Sequence, residues 1–265
     1  MILRGAGLAS DRPADLSSAA SADALGQLGI VKQRQAAIQA IANAVHHQQL
    51  ALHAGADGLA IDRVYEPTVT ALERELEVRT RLPVGSVDTL TLGYGQTIAE
   101  RVAVEGYVTL FDDAGQHVQV QSYEAEVRWQ LTETGEYALD WGLMLESEYE
   151  PRERIWEKAV TVIASHQAPR WTGTVNLALV HESGSTIRNE FETEMRGQWR
   201  YRWHPKMEPG IEVHLGEMTR AIGPMLSGRV KLPGNRGLAW EIAALVGFSP
   251  DTPDATLRTL LEWEF

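Results

Sequence analysis

The chain has no cysteine among its 265 residues, which excludes disulfides, thiolate metal sites and cysteine nucleophiles and leaves no mark of redox compartment. It has no stretch approaching the roughly 18 consecutive apolar residues that a membrane-spanning helix needs, and the apolar run within residues 1–10 is too short for a signal-peptide core. Positive charge is scarce as well. Twenty-four Lys+Arg stand against 36 Asp+Glu, a formal net charge of −12, so the chain lacks the basic surface that displaces counterions from nucleic acid. These absences predict a cytoplasmic protein with no membrane span and no nucleic-acid partner.

Catalytic signatures are missing too. There is no Gly-x-Ser-x-Gly elbow and no Walker loop. Gly5-Ala6-Gly7 has no preceding strand and Gly93-Tyr94-Gly95 no following helix, so neither suits a dinucleotide. His46 and His53 lie seven apart on one helical face, without the closer pair and carboxylate that metal ligation uses. No cofactor or metal is expected. Glu146, Glu148 and Glu150, just before Pro151, read as a solubilising loop edge.

What is present divides the chain into three. Residues 1–29, rich in Ala, Ser, Gly and Asp without sustained period, read as a flexible arm. Residues 30–82 read as a helical segment. Ile38, Ile41, Val45 and Leu52 recur at helical spacing before Gly55 and Gly58. A second helix is expected from Pro67, with Val69, Leu72 and Leu76 on one face and Glu75 four residues ahead of Arg79. The two would form a helical hairpin. From residue 83 to 265 the period becomes 2. Val102, Val104, Val108 and Leu110 alternate with polar neighbours, Asp112 to Gly115 supplies a turn, and the return strand changes phase near Gln121, which calls for a bulge. Tyr137, Leu139, Trp141, Leu143 and Leu145 continue the meander. Further strands are expected at 155–163, 174–180, 187–204, 211–215, 238–242 and 257–265, with a short helix at 218–226. The fold class read from this pattern is α+β, mainly antiparallel β. It would be a curled meander sheet, barrel or sandwich of about nine or ten strands behind the helical hairpin.

The stretch 187–204 carries the candidate sites. At about 3.3 Å per residue it would reach roughly 55 Å, longer than a compact barrel needs. One phase presents Trp199, Tyr201 and Trp203, suited to a pocket or a protein interface. The other presents Arg196, Arg200 and Arg202, suited to an anion or a partner's carboxylates. Two functions follow. The first is a non-enzymatic interaction or assembly protein that associates with itself or a protein partner through its long strands and an N-terminal helical arm. The second is a lipocalin-like β-barrel binding a hydrophobic small molecule, with isomerase or cyclase activity as an extension. Its pocket would be lined by Trp129, Trp141, Trp199, Tyr201 and Trp203. Leu257, Leu261, Trp263 and Phe265 share one phase, so the last strand is expected to be firmly paired.

Overall fold

A computed structural model describes residues 61–112, 117–185, 187–234 and 236–265, together with Lys32. Twelve strands account for most of residues 74–264, in the order β1 (Arg74–Pro83), β2 (Thr89–Ala99), β3 (Val102–Asp112), β4 (Val118–Gln130), β5 (Asp140–Glu150), β6 (Ile155–Gln167), β7 (Trp171–Gly184), β8 (Glu190–Tyr201), β9 (Glu208–Leu215), β10 (Arg220–Leu232), β11 (Arg236–Gly247) and β12 (Ala255–Glu264). Each pairs antiparallel with its sequence neighbour, and β12 returns to pair with β1, from Glu75 opposite Glu264 to Pro83 opposite Thr256. The result is a closed up-and-down barrel, which leaves no sheet edge exposed.

This corrects the α+β expectation. No helix occurs among the described residues from 61 onward, and there are twelve strands where nine or ten were expected. The second expected helix, from Pro67, is instead the end of an extended segment, residues 61–69, then a turn and β1. Glu75 and Arg79 are four apart, a spacing that shares a face in a strand as well as in a helix, because four is a multiple of two. The other half of the expected hairpin and the arm at 1–29 lie outside the described residues, Lys32 apart. The short helix expected at 218–226 is largely part of β10, where Gly223 and Pro224 weaken the β signature. β2 was hidden by Gly93 and Gly95. Opposite Gly93 the Tyr107 ring lies 2.3 Å from where a Cβ would stand, so the ring covers the glycine as cross-strand side chains cover gaps in sheets. The 187–204 stretch is shorter than its alternation suggests: β8 has 12 residues, and 202–204 belong to the turn that follows. The bulge falls where the phase change places it, with Thr109 opposite Ser122 and Leu110 opposite Val120, leaving Gln121 over.

The decisive feature is which face looks inward. Leu76, Val78, Leu92, Val127, Leu145, Val160, Leu177, Leu179, Ile242, Leu257 and Leu261 are all substantially exposed on the outside. Glu77, Arg79, Glu105, Glu126, Glu157, Arg196, Glu212 and Arg258 are buried inside. β12 is paired on both sides as expected, but Leu257, Leu261, Trp263 and Phe265 face out.

Aromatic residues collect at the rims. Of eight Trp, Trp129, Trp141, Trp171, Trp199, Trp203, Trp240 and Trp263 lie in the half nearer the rim where β1 begins and β12 ends. Trp156, Tyr149 and Phe191 lie toward the opposite rim. On β5, Trp141 and Tyr149 are eight residues apart, about 26 Å along the strand and about 20 Å along the axis at a tilt near 40°. An outward apolar band of about that height between aromatic girdles is the signature of a barrel surrounded by lipid.

Candidate functional site

Twelve strands spaced about 4.8 Å apart and tilted near 40° place the backbone about 12 Å from the axis; inward side chains take about half of that, leaving a channel about 6 Å in radius. An extended chain fills such a channel, and residues 61–69 occupy it. Ile61 packs among Ala221, Met225, Ala243 and Leu245. Tyr65, which is fully buried, packs with Met144 and Ile163. Pro67 fits because residue 142 is glycine, where a Cβ would stand 3.0 Å from the Pro67 Cα. The segment then meets Val69 near the Trp-rich rim and reverses through Leu72, a non-glycine residue in the left-handed region at φ 63°.

Its polar groups are matched to the wall. The Tyr65 amide donates to Asn176 Oδ1 at 2.7 Å, and Asn176 Nδ2 donates back to the Tyr65 carbonyl at 2.9 Å, so one side chain replaces a sheet neighbour. The Tyr65 hydroxyl donates to Glu126 at 2.5 Å and the Val69 amide to Gln130 at 2.8 Å. Arg63 pairs with Glu77 and with Glu262 at 3.0 Å. Asp62 takes Arg79 and, at 3.6 Å, Arg196. Glu66 takes Arg200, while Arg128 donates to the Glu66 carbonyl at 3.1 Å and to Glu105 at 2.7 Å. Arg79 also lies over the Tyr107 ring, 4.3 Å from its centre. Ion pairs removed from water survive only when such further bonds satisfy both partners.

A second network closes the wall beside the segment. Arg258 donates to Glu212 at 2.8 and 2.5 Å and to Glu241 at 2.8 Å; His214 and Gln198 contact Glu212, each at 2.8 Å. Between segment and wall a polar cavity of about 40 Å³ remains, lined in part by Asp62, Arg79, Thr91, Glu124 and Arg258, with room for a few waters.

Elsewhere the wall is unbalanced. Glu124, Glu148, Glu157, Glu182 and Glu190 stand directly opposite one another on β4 to β8. The inward phases of β5, β6 and β7 carry carboxylates and no cationic side chain. This side of the lumen is a carboxylate-rich surface with few cations to balance it.

The residues singled out from sequence separate onto the two faces. Trp129, Trp141 and Trp199 face outward at the Trp-rich rim, 52%, 38% and 52% exposed. Tyr201 ends β8 with its ring 4.8 Å from Trp171, and Trp203 lies exposed in the next turn. None of the five lines the interior. Arg196 and Arg200 point inward onto Asp62 and Glu66, and Arg202 bonds Gln167 at 2.8 Å outside the lumen. Residues 61–69, Asn176 and the Arg258 cluster were missed, and Glu146, Glu148 and Glu150, expected at a solubilising loop edge, are buried on the inward face of β5. Their signal was the polar phase itself, which is charged or small in strand after strand. Outward tryptophans remove the pocket of the lipocalin-like alternative, and an enclosed ring of ordinary strands removes the long projecting strand on which self- or partner association rested.

No family model matches the chain, and no curated protein matches it. Among solved structures, NanC porin superposes with a TM-score of 0.52 at 9% identity, covering 72% of this chain and 98% of its own. An outer membrane channel from Pseudomonas putida F1 gives a TM-score of 0.51 at 10% identity, covering 77% of this chain and 98% of its own. With the apolar outer band, these neighbours overturn the expectations of a cytoplasmic location and of no membrane span: the chain has a fold shared with outer-membrane porins and channels.

Proposed function

We propose that this protein is an outer-membrane β-barrel channel whose lumen is held closed by its own residues 61–69. The observation that carries this reading is the inversion of the faces around a closed ring, apolar outside and charged inside, because a lumen needs polar walls only if water or polar solutes reach it. NanC is by name a porin and the Pseudomonas putida protein a channel, which supports transport. The segment accounts for closure, since an extended chain fills the width left between the walls. The surplus of carboxylates along β4 to β8 favours cations over anions in transit.

Planar lipid bilayers test this. The full chain, reconstituted from detergent, should show small or rare conductance steps. A variant lacking residues 61–69 should show larger, long-lived steps whose reversal potential in a KCl gradient reports cation preference. A deletion variant that inserts and folds yet conducts no more than the full chain would refute the gating role. A full chain that stays in the aqueous phase when offered lipid vesicles would refute the membrane reading itself.

A further inference from the structure

The carboxylate-rich wall contains one place where three carboxylates are prepared for something the protein itself does not supply. Glu124, Glu126 and Glu146 offer ligand oxygens that all lie within 4.8 Å of one another. Glu126 stands directly opposite Glu146 in the β4–β5 register, and Glu124 is two residues along the same phase. Each carboxylate has one oxygen engaged. Glu126 Oε1 accepts from the Tyr65 hydroxyl at 2.5 Å, Glu146 Oε2 accepts from Thr161 at 2.8 Å, and Glu124 Oε2 lies 3.9 Å from Arg79. Each has its other oxygen buried with no hydrogen-bond partner: Glu124 Oε1, Glu126 Oε2 and Glu146 Oε1. Glu126 and Glu146 are 1% and 5% exposed.

An unpaired carboxylate oxygen cut off from water is expensive, and here three converge. Arg79, bound to Asp62 and Glu77, reaches only the outer oxygen of Glu124, at 3.9 Å, and hydrogen-bonds none of the three free oxygens. One oxygen held by a neighbour and the other left free is how outer partners aim carboxylates at a metal. From this arrangement we infer a binding site for a hard divalent cation, Ca²⁺ in the first instance, at Glu124, Glu126 and Glu146. Oxygens on opposite sides of Ca²⁺ at about 2.4 Å are separated by about 4.8 Å, and Ca²⁺ accepts the irregular carboxylate-and-water shells such a wall can offer, with the adjoining cavity at Glu124 supplying space for water. Because Glu126 also holds Tyr65, the ion would sit at the joint between wall and luminal segment.

The site needs only the barrel geometry and not the transport role, so it is tested in micelles without a bilayer. CaCl₂ is titrated calorimetrically into the refolded full chain. The expected result is one saturable site, weakened at least about tenfold by Glu126→Gln and, separately, by Glu146→Gln, and unchanged by Glu133→Gln, a rim control paired with Arg101. Folding of every variant is checked by its heat-dependent gel migration. The two substitutions lie on different strands, so one that fails to fold leaves the other to decide. No saturable binding by the full chain, or undiminished binding by a folded Glu126→Gln or Glu146→Gln protein, would overturn the inference.

Discussion

Leu145→Arg is the substitution that most directly interrogates the outward face. Leu145 lies on β5 midway between Trp141 and Tyr149, flanked by Val127 on β4 and Val160 on β6, and is 48% exposed. With the girdles about 20 Å apart along the axis, Leu145 sits about 10 Å from either interface, near the midplane. Arginine on the lipid face of a barrel costs about 2–4 kcal/mol at the midplane and about 0–1 kcal/mol near an interface. The expected loss is therefore about 30- to 900-fold in the folding equilibrium for Leu145→Arg, and less than about tenfold for Trp141→Arg apart from lost ring packing. Reversible urea unfolding in lipid vesicles, followed by tryptophan fluorescence, measures both. In aqueous solution a half-exposed Leu→Arg change would fall within about 0.5 kcal/mol of neutral. Equal effects at positions 141 and 145, or no effect at 145 in vesicles, would refute the assignment of this face to lipid.

Three further outcomes follow from the lumen and the seam. Asn176→Val strips the partners from the buried amide and carbonyl of Tyr65, at about 1–3 kcal/mol each; tryptic cleavage after Arg63 in the folded barrel should accelerate by about 30-fold or more, and an unchanged rate would show that the segment is held by something else. Arg258→Met leaves Glu212 buried without its cation and should cost about 3–5 kcal/mol in urea unfolding, with part recovered in the Arg258→Met, Glu212→Gln double variant; a double variant no more stable than the single one would contradict the pairing. Removing residues 259–265 deletes most of the register between β12 and β1 and opens the ring, so the compact, heat-sensitive gel form should vanish; its persistence would mean the seam is dispensable.

Much of the architecture could be read from alternation alone, because period 2 survives whichever side of a sheet is wet. Strands β3 to β9, β11 and β12, the hairpin order and the Gln121 bulge are visible in that way. What alternation cannot say is which phase faces water, and the whole functional reading turned on that. A row such as Glu124-Ala125-Glu126-Val127-Arg128-Trp129 describes a soluble sheet with its charges outside and a membrane barrel with its charges inside equally well. Arginine was the neglected hint: 20 of the 24 cationic residues are Arg, the side chain suited to buried, multiply bonded ion pairs and not merely to solvation. Residues 61–69 escaped for another reason. Their neighbours are all distant in sequence, Tyr65 reaching Asn176 across 111 positions and Glu66 reaching Arg200 across 134, so no local pattern records them.

The tether between residues 61–69 and β1 also sets a direction. Thr70 and Glu73 are fastened to the rim by bonds from Thr97, and the closed wall offers no sideways exit, since parting two strands would leave a ladder of backbone groups unpaired. Like a bolt in a sleeve welded at one end, the segment can be drawn only toward the Trp-rich rim. How far the bolt can travel is then set by the short stretch between Tyr65, held by Asn176, and the fastened Thr70.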